Sequence, residues 1–407
     1  MSQATDLEMP APARLSLPEF TAMLATLFAT LAFSIDAMLP ALPAIAAELT
    51  PNDINRAQLV LTAFVLGMGL GTLMVGPISD AIGRKPAISA GVLLYVIGAV
   101  MAHLASSIEM LLAARVIQGL GASGPRIVGL ALARDIYAGR EMARVMSFVM
   151  MVFMIVPAMA PAVGAGIIAF TGWRGLFLAF ITFGLVAISW VTIRQPETLP
   201  VAKRRPLSIE SLRSGMKEVW ANRDVRIYTL VMALGYGQMF ALLSSIQPIF
   251  DVSFGRAAGF PLWFALIAVT SASASFINSR LVMRLGMRKL ATLAYLGEAI
   301  LSAVILVVFG SDLLGGWLPF ACFMIWANSV FFIAGLTFGN LNALALQEMG
   351  HIAGLANSII TAIATMGAVL IAGPVGLAFD GSPVPCMIGA LVCSAICFVM
   401  MRRTLPS

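Results

Sequence analysis

Residues 194–226 read "RQPETLPVAKRRPLSIESLRSGMKEVWANRDVR", the longest polar stretch of the 407-residue chain. On either side the sequence is a succession of apolar runs. Each is about 20 residues long, which carries an α-helix across a hydrocarbon core of ~30 Å at 1.5 Å per residue. Sixty per cent of the chain is hydrophobic and only 11% is charged, where ordinary soluble domains are about a quarter charged. Mean hydropathy is +0.96. The runs are continuous and do not alternate, so strands of a closed barrel are excluded and the spans are helices. Twelve are expected, at roughly 19–40, 57–77, 86–105, 109–132, 143–169, 173–193, 226–250, 260–280, 289–309, 316–341, 353–378 and 384–401.

Six runs precede the polar stretch and six follow it, which predicts an all-α membrane protein of two six-helix bundles. The expected boundaries are a tail over 1–18, a bundle over 19–193, a linker over 194–225, a second bundle over 226–401 and a tail over 402–407. Pro196, Pro200 and Pro206 keep the first part of the linker extended. From Ser208, the residues Ile209, Leu212, Met216, Val219 and Trp220 share one helical face opposite Arg213 and Lys217. That pattern predicts a short helix lying on the membrane surface. The stretch reads as a tether, with nothing of a catalytic domain.

A net charge of +6 would suit nucleic acid, but its distribution follows the loops. One side of the predicted membrane collects Arg14, Arg84, Lys85, Arg134, Arg140, Arg144, the linker's basic residues, Arg280, Arg284, Arg288, Lys289, Arg402 and Arg403. The other holds Arg56, Arg174 and Arg256. Positive residues gather on the cytoplasmic side, so both termini are expected there. Cys322, Cys386, Cys393 and Cys397 form no CxxC pair, and no metal site is expected. The first apolar run is too long for the core of a secretion signal, so no cleaved leader is expected.

The halves echo each other. "GPISDAIGRKP" (76–86) follows the second span and "SRLVMRLGMRK" (279–289) follows the eighth; both place a glycine just before a basic pair. The second copy lacks the acidic residue. A weak repeat at matching positions of two halves points to a transporter. "RVIQGLGASG" (115–124), "PAMAPAVGAG" (157–166), "SIDAMLPALP" (34–43) and "ARDIYAGREMARVMSF" (133–148) complete a set. It closely resembles the major facilitator superfamily and, within it, the Bcr/CflA (bicyclomycin-resistance) subgroup of drug:proton antiporters. The first loop resembles that family's G-x-x-x-D-R-x-G-R-K signature, with Ala81 where the pattern has Arg. The fifth-span motif has Ala160 in place of its usual first glycine. In the second half the resemblance rests on the span count, the degenerate loop and "HIAGLANSI" (351–359).

In the first loop, Asp80 and Arg84 stand four residues apart at a helix end, with Gly76 and Gly83 permitting close backbone approach. By resemblance, Gly76, Asp80, Gly83, Arg84 and Lys85 form a charged gate on the cytoplasmic side; plain anchoring by Arg84 and Lys85 is the alternative. Pro157, Pro161, Gly164 and Gly166 predict a bent, closely packed fifth span, an arrangement typical of exporters in that family.

Three charges stand within spans, and an ionisable residue there is a functional hypothesis by default. Asp36 and Arg115 enter from opposite sides and reach similar depth. The resemblance places their spans side by side, so the expectation is Asp36 as proton carrier and Arg115 as the residue that biases it. A structural ion pair, or an Asp solvated near the surface before Pro40 ends the helix, is the other reading. Arg126 lies about 16 Å beyond Arg115 along the helix. It pairs with an anionic substrate, stabilises the inner cavity or snorkels to the headgroups. Glu298 in the ninth span is expected to be structural.

By the same resemblance, spans seven and ten line the cavity. Tyr236, Phe240 and Gln247 recur on one face of span seven, and Asn328 offers an amide beside Phe331 and Phe332 in span ten. Met150, Met151 and Met154 add adaptable surface. An apolar, aromatic pocket with a few polar groups suits varied lipophilic compounds.

The chain is thus expected to be a monomeric transporter of a bacterial inner membrane, exchanging a small amphipathic compound for protons by alternating access. It would need no cofactor and no nucleic acid. Without a GxxxxGK[ST] loop, energy would come from an ion gradient. Export of an amino acid or polyamine on the same fold is the alternative, and a non-transporting sensor a more distant one. His103 and His351 lie near opposite membrane faces and no Ser/His/Asp or metal cluster converges, so an enzyme is not expected.

Overall fold

A computed structural model describes residues 15–311 and 315–404; Arg14 and the ends of both expected tails lie outside the described residues. Thirteen α-helices appear among the described residues: α1 Leu17–Asp36, α2 Leu42–Leu49, α3 Leu59–Ile82, α4 Arg84–His103, α5 Ile108–Ile136, α6 Gly139–Arg194, α7 Ile209–Ala221, α8 Arg223–Pro248, α9 Phe260–Leu285, α10 Met287–Phe309, α11 Leu318–Gln347, α12 Ala353–Leu377 and α13 Val384–Arg402.

Among the described residues, eleven helical stretches are long and apolar enough to cross a membrane, and one of them, α6, has 56 residues. At 1.5 Å per residue that is about 84 Å, far more than one crossing of ~30 Å. Gly172 interrupts α6 with φ 69° and ψ 178°, so α6 supplies the fifth and sixth crossings and the total is twelve. An even number returns the chain to the side it started from. The face bearing Leu15 and Thr404, the first and last described residues, is called the terminal face below.

Large apolar side chains such as Leu93, Val186, Leu262, Val269 and Val307 project outward from these helices. In water they would be a liability; facing lipid they are at home. The first and second halves meet where α3 lies against α12 and α6 against α9. The α3–α12 seam runs full length and antiparallel: Asn55 lies by Leu377, Leu59 by Gly373, Gly69 by Met366 and Gly76 by Ser358.

The linker's helix α7 covers 209–221 and packs against α12, burying Gly215 and Val219. Ile209, Met216 and Trp220 stay exposed. The protein-facing stripe is thus one step round the helix from the apolar face expected, because Gly215 fits under Leu355 and Ile359 where a larger residue would not.

Candidate functional site

The first span breaks where it matters. Helix α1 ends at Asp36, not at Pro40 as expected, and the chain resumes as a 3-10 turn over Leu39–Ala41 before α2. Pro40 accounts for the position: a proline ring clashes with the carbonyl four residues back, here that of Asp36. Asp36 is 6% exposed. Among the described residues, no hydrogen bond or ion pair reaches its carboxylate.

Arg115, on α5, is fully buried beside this break. Its guanidinium donates to the backbone oxygen of Ser34 at 3.0 Å, to that of Val60 at 3.3 Å and to Gln118 Oε1 at 2.6 Å. It also lies 4.3 Å over the Phe64 ring. Ser34 belongs to the last turn of α1, where carbonyls lack helical partners and carry the negative end of the dipole. So Arg115 caps the broken helix that carries Asp36, two residues away, and leaves the carboxylate itself unpaired. The hydroxyls of Ser34 and Tyr95 share a 2.6 Å hydrogen bond in the same pocket, and Gln118 Nε2 is buried without a partner.

The fifth-span motif bears on the same point. Gly164 is buried, and a Cβ there would collide with the carbonyl of Ala37, the residue after Asp36. The glycine thus lets α6 close over the break. Pro161 is buried, Gly166 faces open space, and the backbone stays helical through Pro157 and Pro161.

On the terminal face, α3 stops at Ile82 and α4 starts at Arg84, with Gly83 between them at φ 109°, ψ 161°. Arg84 reaches Asp80 at 2.6 Å and Ser79 Oγ at 2.7 Å, and its Nε donates to Asp135 at 3.0 Å. Glu197, from the linker, accepts the backbone N–H groups of Arg84 and Lys85 at 2.9 and 3.0 Å. These are orphan donors at the N-terminus of α4, so Glu197 caps that helix from 112 residues away or more. Arg205 N–H adds a bond to the backbone oxygen of Asp80 at 3.0 Å. The linker's first part is a strap over the loop between α3 and α4, beyond the simple tether expected.

The opposite face is held differently. Asn55 Nδ2 donates to the backbone oxygens of Leu377 at 3.1 Å and Phe379 at 2.7 Å, and Ser245 Oγ donates to Gln58 Oε1 at 2.6 Å. Among the described residues these are the side-chain hydrogen bonds that cross between the halves, and all lie at this end.

The expected cavity residues separate into groups. Arg126 on α5 is partly accessible and, among the described residues, makes no hydrogen bond or ion pair. Tyr236 packs against Phe338 at 4.2 Å and Phe240 at 6.3 Å between ring centroids. Gln247 is buried with Oε1 unpartnered. Asn328 is elsewhere, its Oδ1 accepting from Thr270 at 2.6 Å and Ser271 at 3.0 Å on α9. Glu298 is buried on α10, accepting from Ser302, which in turn accepts from Trp326 Nε1.

Sequence reasoning gave no role to Asp135, Glu197, Ser34, Tyr95, Asn55 or Gln58. Asp135 and Glu197 had a signal, as carboxylates set among the basic residues of the terminal face. The other four carried none, since their partners lie 61 or more residues away.

A family model described as the Major Facilitator Superfamily matches residues 22–373. The chain is 30% identical over 335 residues to the bicyclomycin resistance protein homolog of Haemophilus influenzae, covering 81% of this chain and 82% of that protein. It is 25% identical over 346 residues to multidrug resistance protein D of Escherichia coli, covering 82% of each. Among solved structures, the partially occluded inward open xylose transporter XylE of E. coli matches with a TM-score of 0.72 at 13% identity, over 96% of this chain and 98% of that one, a likeness of fold alone.

Proposed function

The chain belongs to the Major Facilitator Superfamily, and from that premise we propose that it exports small amphipathic compounds in exchange for inward-moving protons. As a member of that family it is a multi-pass membrane transporter of small molecules and not an enzyme. The names of its relatives, bicyclomycin and multidrug resistance proteins, support a drug-like cargo.

The observation that carries the proton reading is Asp36: an intramembrane carboxyl group at a helix break, buried and unpaired, beside an arginine whose bonds are all committed elsewhere. Arg115 stays protonated in any access state and cannot shuttle the proton. Asp36 is the group able to take one up and release it as access alternates between the faces. The chain passes directly from Asp36 to Ala37, whose carbonyl lies against Gly164 on α6, and α6 packs against α9 of the other half.

Alternating access then means opening one end while closing the other. Export starts from the terminal face, which we assign to the cytoplasm of a bacterium, with the inner membrane as the site. The basic residues support that assignment, and so do two of the opposite face's arginines: Arg56 and Arg174 are paired with Glu109 and Glu48 at 2.7 and 2.6 Å. To release cargo outward, the two six-helix bundles must part at Asn55 and Gln58, while the strapped loop at Asp80–Arg84 helps the terminal face to shut.

The test is proton release from purified, unbuffered protein on addition of candidate drugs. Release by wild type and none by Asp36→Asn is the expected result. Drug binding without proton release from the wild type would overturn the coupling.

A further inference from the structure

Helix α7 divides its surface three ways. Gly215 and Val219 face α12, and a Cβ on Gly215 would meet Leu355 at 2.6 Å and Ile359 at 3.2 Å. At about 100° per residue, Met216, Ile209 and Trp220 come next, within an arc of about 40°. They are bare, at 39, 80 and 43% exposed. Arg213 and Lys217 follow on the far side of that stripe, and both are exposed. Among the described residues neither makes a hydrogen bond or an ion pair. Of the helix's two carboxylates, Glu218 is taken by His351 at 2.5 Å. Glu210 stands in the first turn, where the helix dipole favours it.

The height of α7 is set by α12. That span has 25 residues, or about 38 Å, so it outruns a ~30 Å hydrocarbon core by about 4 Å at each end. Leu355 and Ile359 lie about 3 and 9 Å from its terminal-face end, on either side of that boundary. Helix α7 therefore rests where acyl chains give way to headgroups. Its own end is fixed there too: α8, a span, starts at Arg223, and Arg226 Nη1 donates to the backbone oxygen of Trp220 at 3.1 Å. Tryptophan and long cations suit this zone, with the ring at the apolar edge and the charge among phosphates.

We propose that α7 is a docking surface for anionic phospholipid in the leaflet at the terminal face. Ile209, Met216 and Trp220 enter the acyl chains, and Arg213 and Lys217 hold the headgroup phosphates. A zwitterionic bilayer satisfies the stripe but not the cations, and a soluble phosphate the cations but not the stripe. The contact lies close to the loop between α3 and α4. Three residues, Pro206, Leu207 and Ser208, separate Ile209 from Arg205, whose N–H is bonded to the backbone oxygen of Asp80. Lipid charge thus anchors the linker on the second half, next to where its strap grips the first.

The test is tryptophan quenching of the full-length protein in proteoliposomes made of equal parts phosphatidylglycerol and phosphatidylcholine, with bromine on the acyl chains of one or the other. The signal of Trp220 is the difference between wild type and Trp220→Phe. Each cation favours an anionic surface about fivefold, so brominated phosphatidylglycerol should quench Trp220 about 1.5-fold or more as strongly as brominated phosphatidylcholine. The double variant Arg213→Gln, Lys217→Gln should equalise the two lipids while brominated phosphatidylcholine still quenches, which shows the helix in place. Equal quenching in wild type, or a preference that survives in the double variant, would overturn the proposal. So would no quenching by either lipid, which would leave the stripe to a soluble partner. Added inorganic phosphate should leave the preference intact. Its loss to phosphate, but not to chloride at the same ionic strength, would make this a free-anion site and overturn the lipid assignment.

Discussion

Gly83 and Gly286 occupy equivalent points in the two halves, each the one residue between a pair of spans. Their backbones are alike, with φ 109° and 77° and ψ 161° and 158°. Both conformations are costly for any residue with a Cβ. Their surroundings differ. A Cβ on Gly83 would meet Glu197 Oε2 at 2.6 Å and Arg204 at 3.0 Å, whereas one on Gly286 would meet nothing within 4 Å. Arg84 bonds two carboxylates and a hydroxyl, while Arg288 has Asp224 at 3.5 Å and the backbone oxygen of Thr404 at 3.2 Å. The turn is therefore a solution to the fold, repeated in both halves. The charged cluster and its strap occur in one half only, which is what a functional device would do.

Removing Arg84 should have the largest effect. Arg84→Gln leaves Asp80 and Asp135 facing each other, and loss of hydrogen bonds between charged groups costs ~1.5–3 kcal/mol each. Transport should fall by about tenfold or more, with membrane insertion unchanged. Arg288→Gln should cost less than about twofold, since its exposed, longer ion pair is worth little. Equal losses in the two variants would break the comparison.

Next comes the strap. Glu197→Gln keeps an acceptor for the first turn of α4 but removes the charge that favours its dipole, an effect of about 0.3–1 kcal/mol at a helix N-terminus. Initial rates of drug transport should drop by about two- to fivefold. Unchanged rates would reduce the strap to packing.

The glycines give the sharpest contrast. Gly83→Ala and Gly286→Ala should each destabilise the protein by about 1–3 kcal/mol through the backbone alone. Gly83→Ala should lose transport as well, because the new methyl displaces Glu197, while Gly286→Ala should lose only thermal stability. Matching activity in the two alanine variants would contradict a special role for the first loop.

Much of the fold could be read from the chain because lipid imposes one rule on every span. The run lengths and the 194–226 stretch yield twelve crossings, and Gly172 separates two of them where the apolar pattern barely pauses. The depth match of Asp36 and Arg115 was legible from helical rise. Their relation was not: the guanidinium goes to backbone oxygens, which no residue type announces. The helix break was placed four residues late, because a proline acts upstream of its own position. Glu197 and Asn55 escaped for a common reason. Their partners are 112 and 322 residues away or more, so only the packed helices bring them together.

Asp36 as carrier of the coupling proton is tested most directly by comparing uphill export with passive exchange in proteoliposomes. Wild type and Asp36→Asn would each be given an imposed pH gradient, then, separately, equal labelled and unlabelled substrate on both sides. Asp36→Asn is expected to lose gradient-driven accumulation by about tenfold or more, as for a residue required in one step of the cycle, while still exchanging substrate. Accumulation against a gradient by Asp36→Asn at the wild-type level would contradict the assignment.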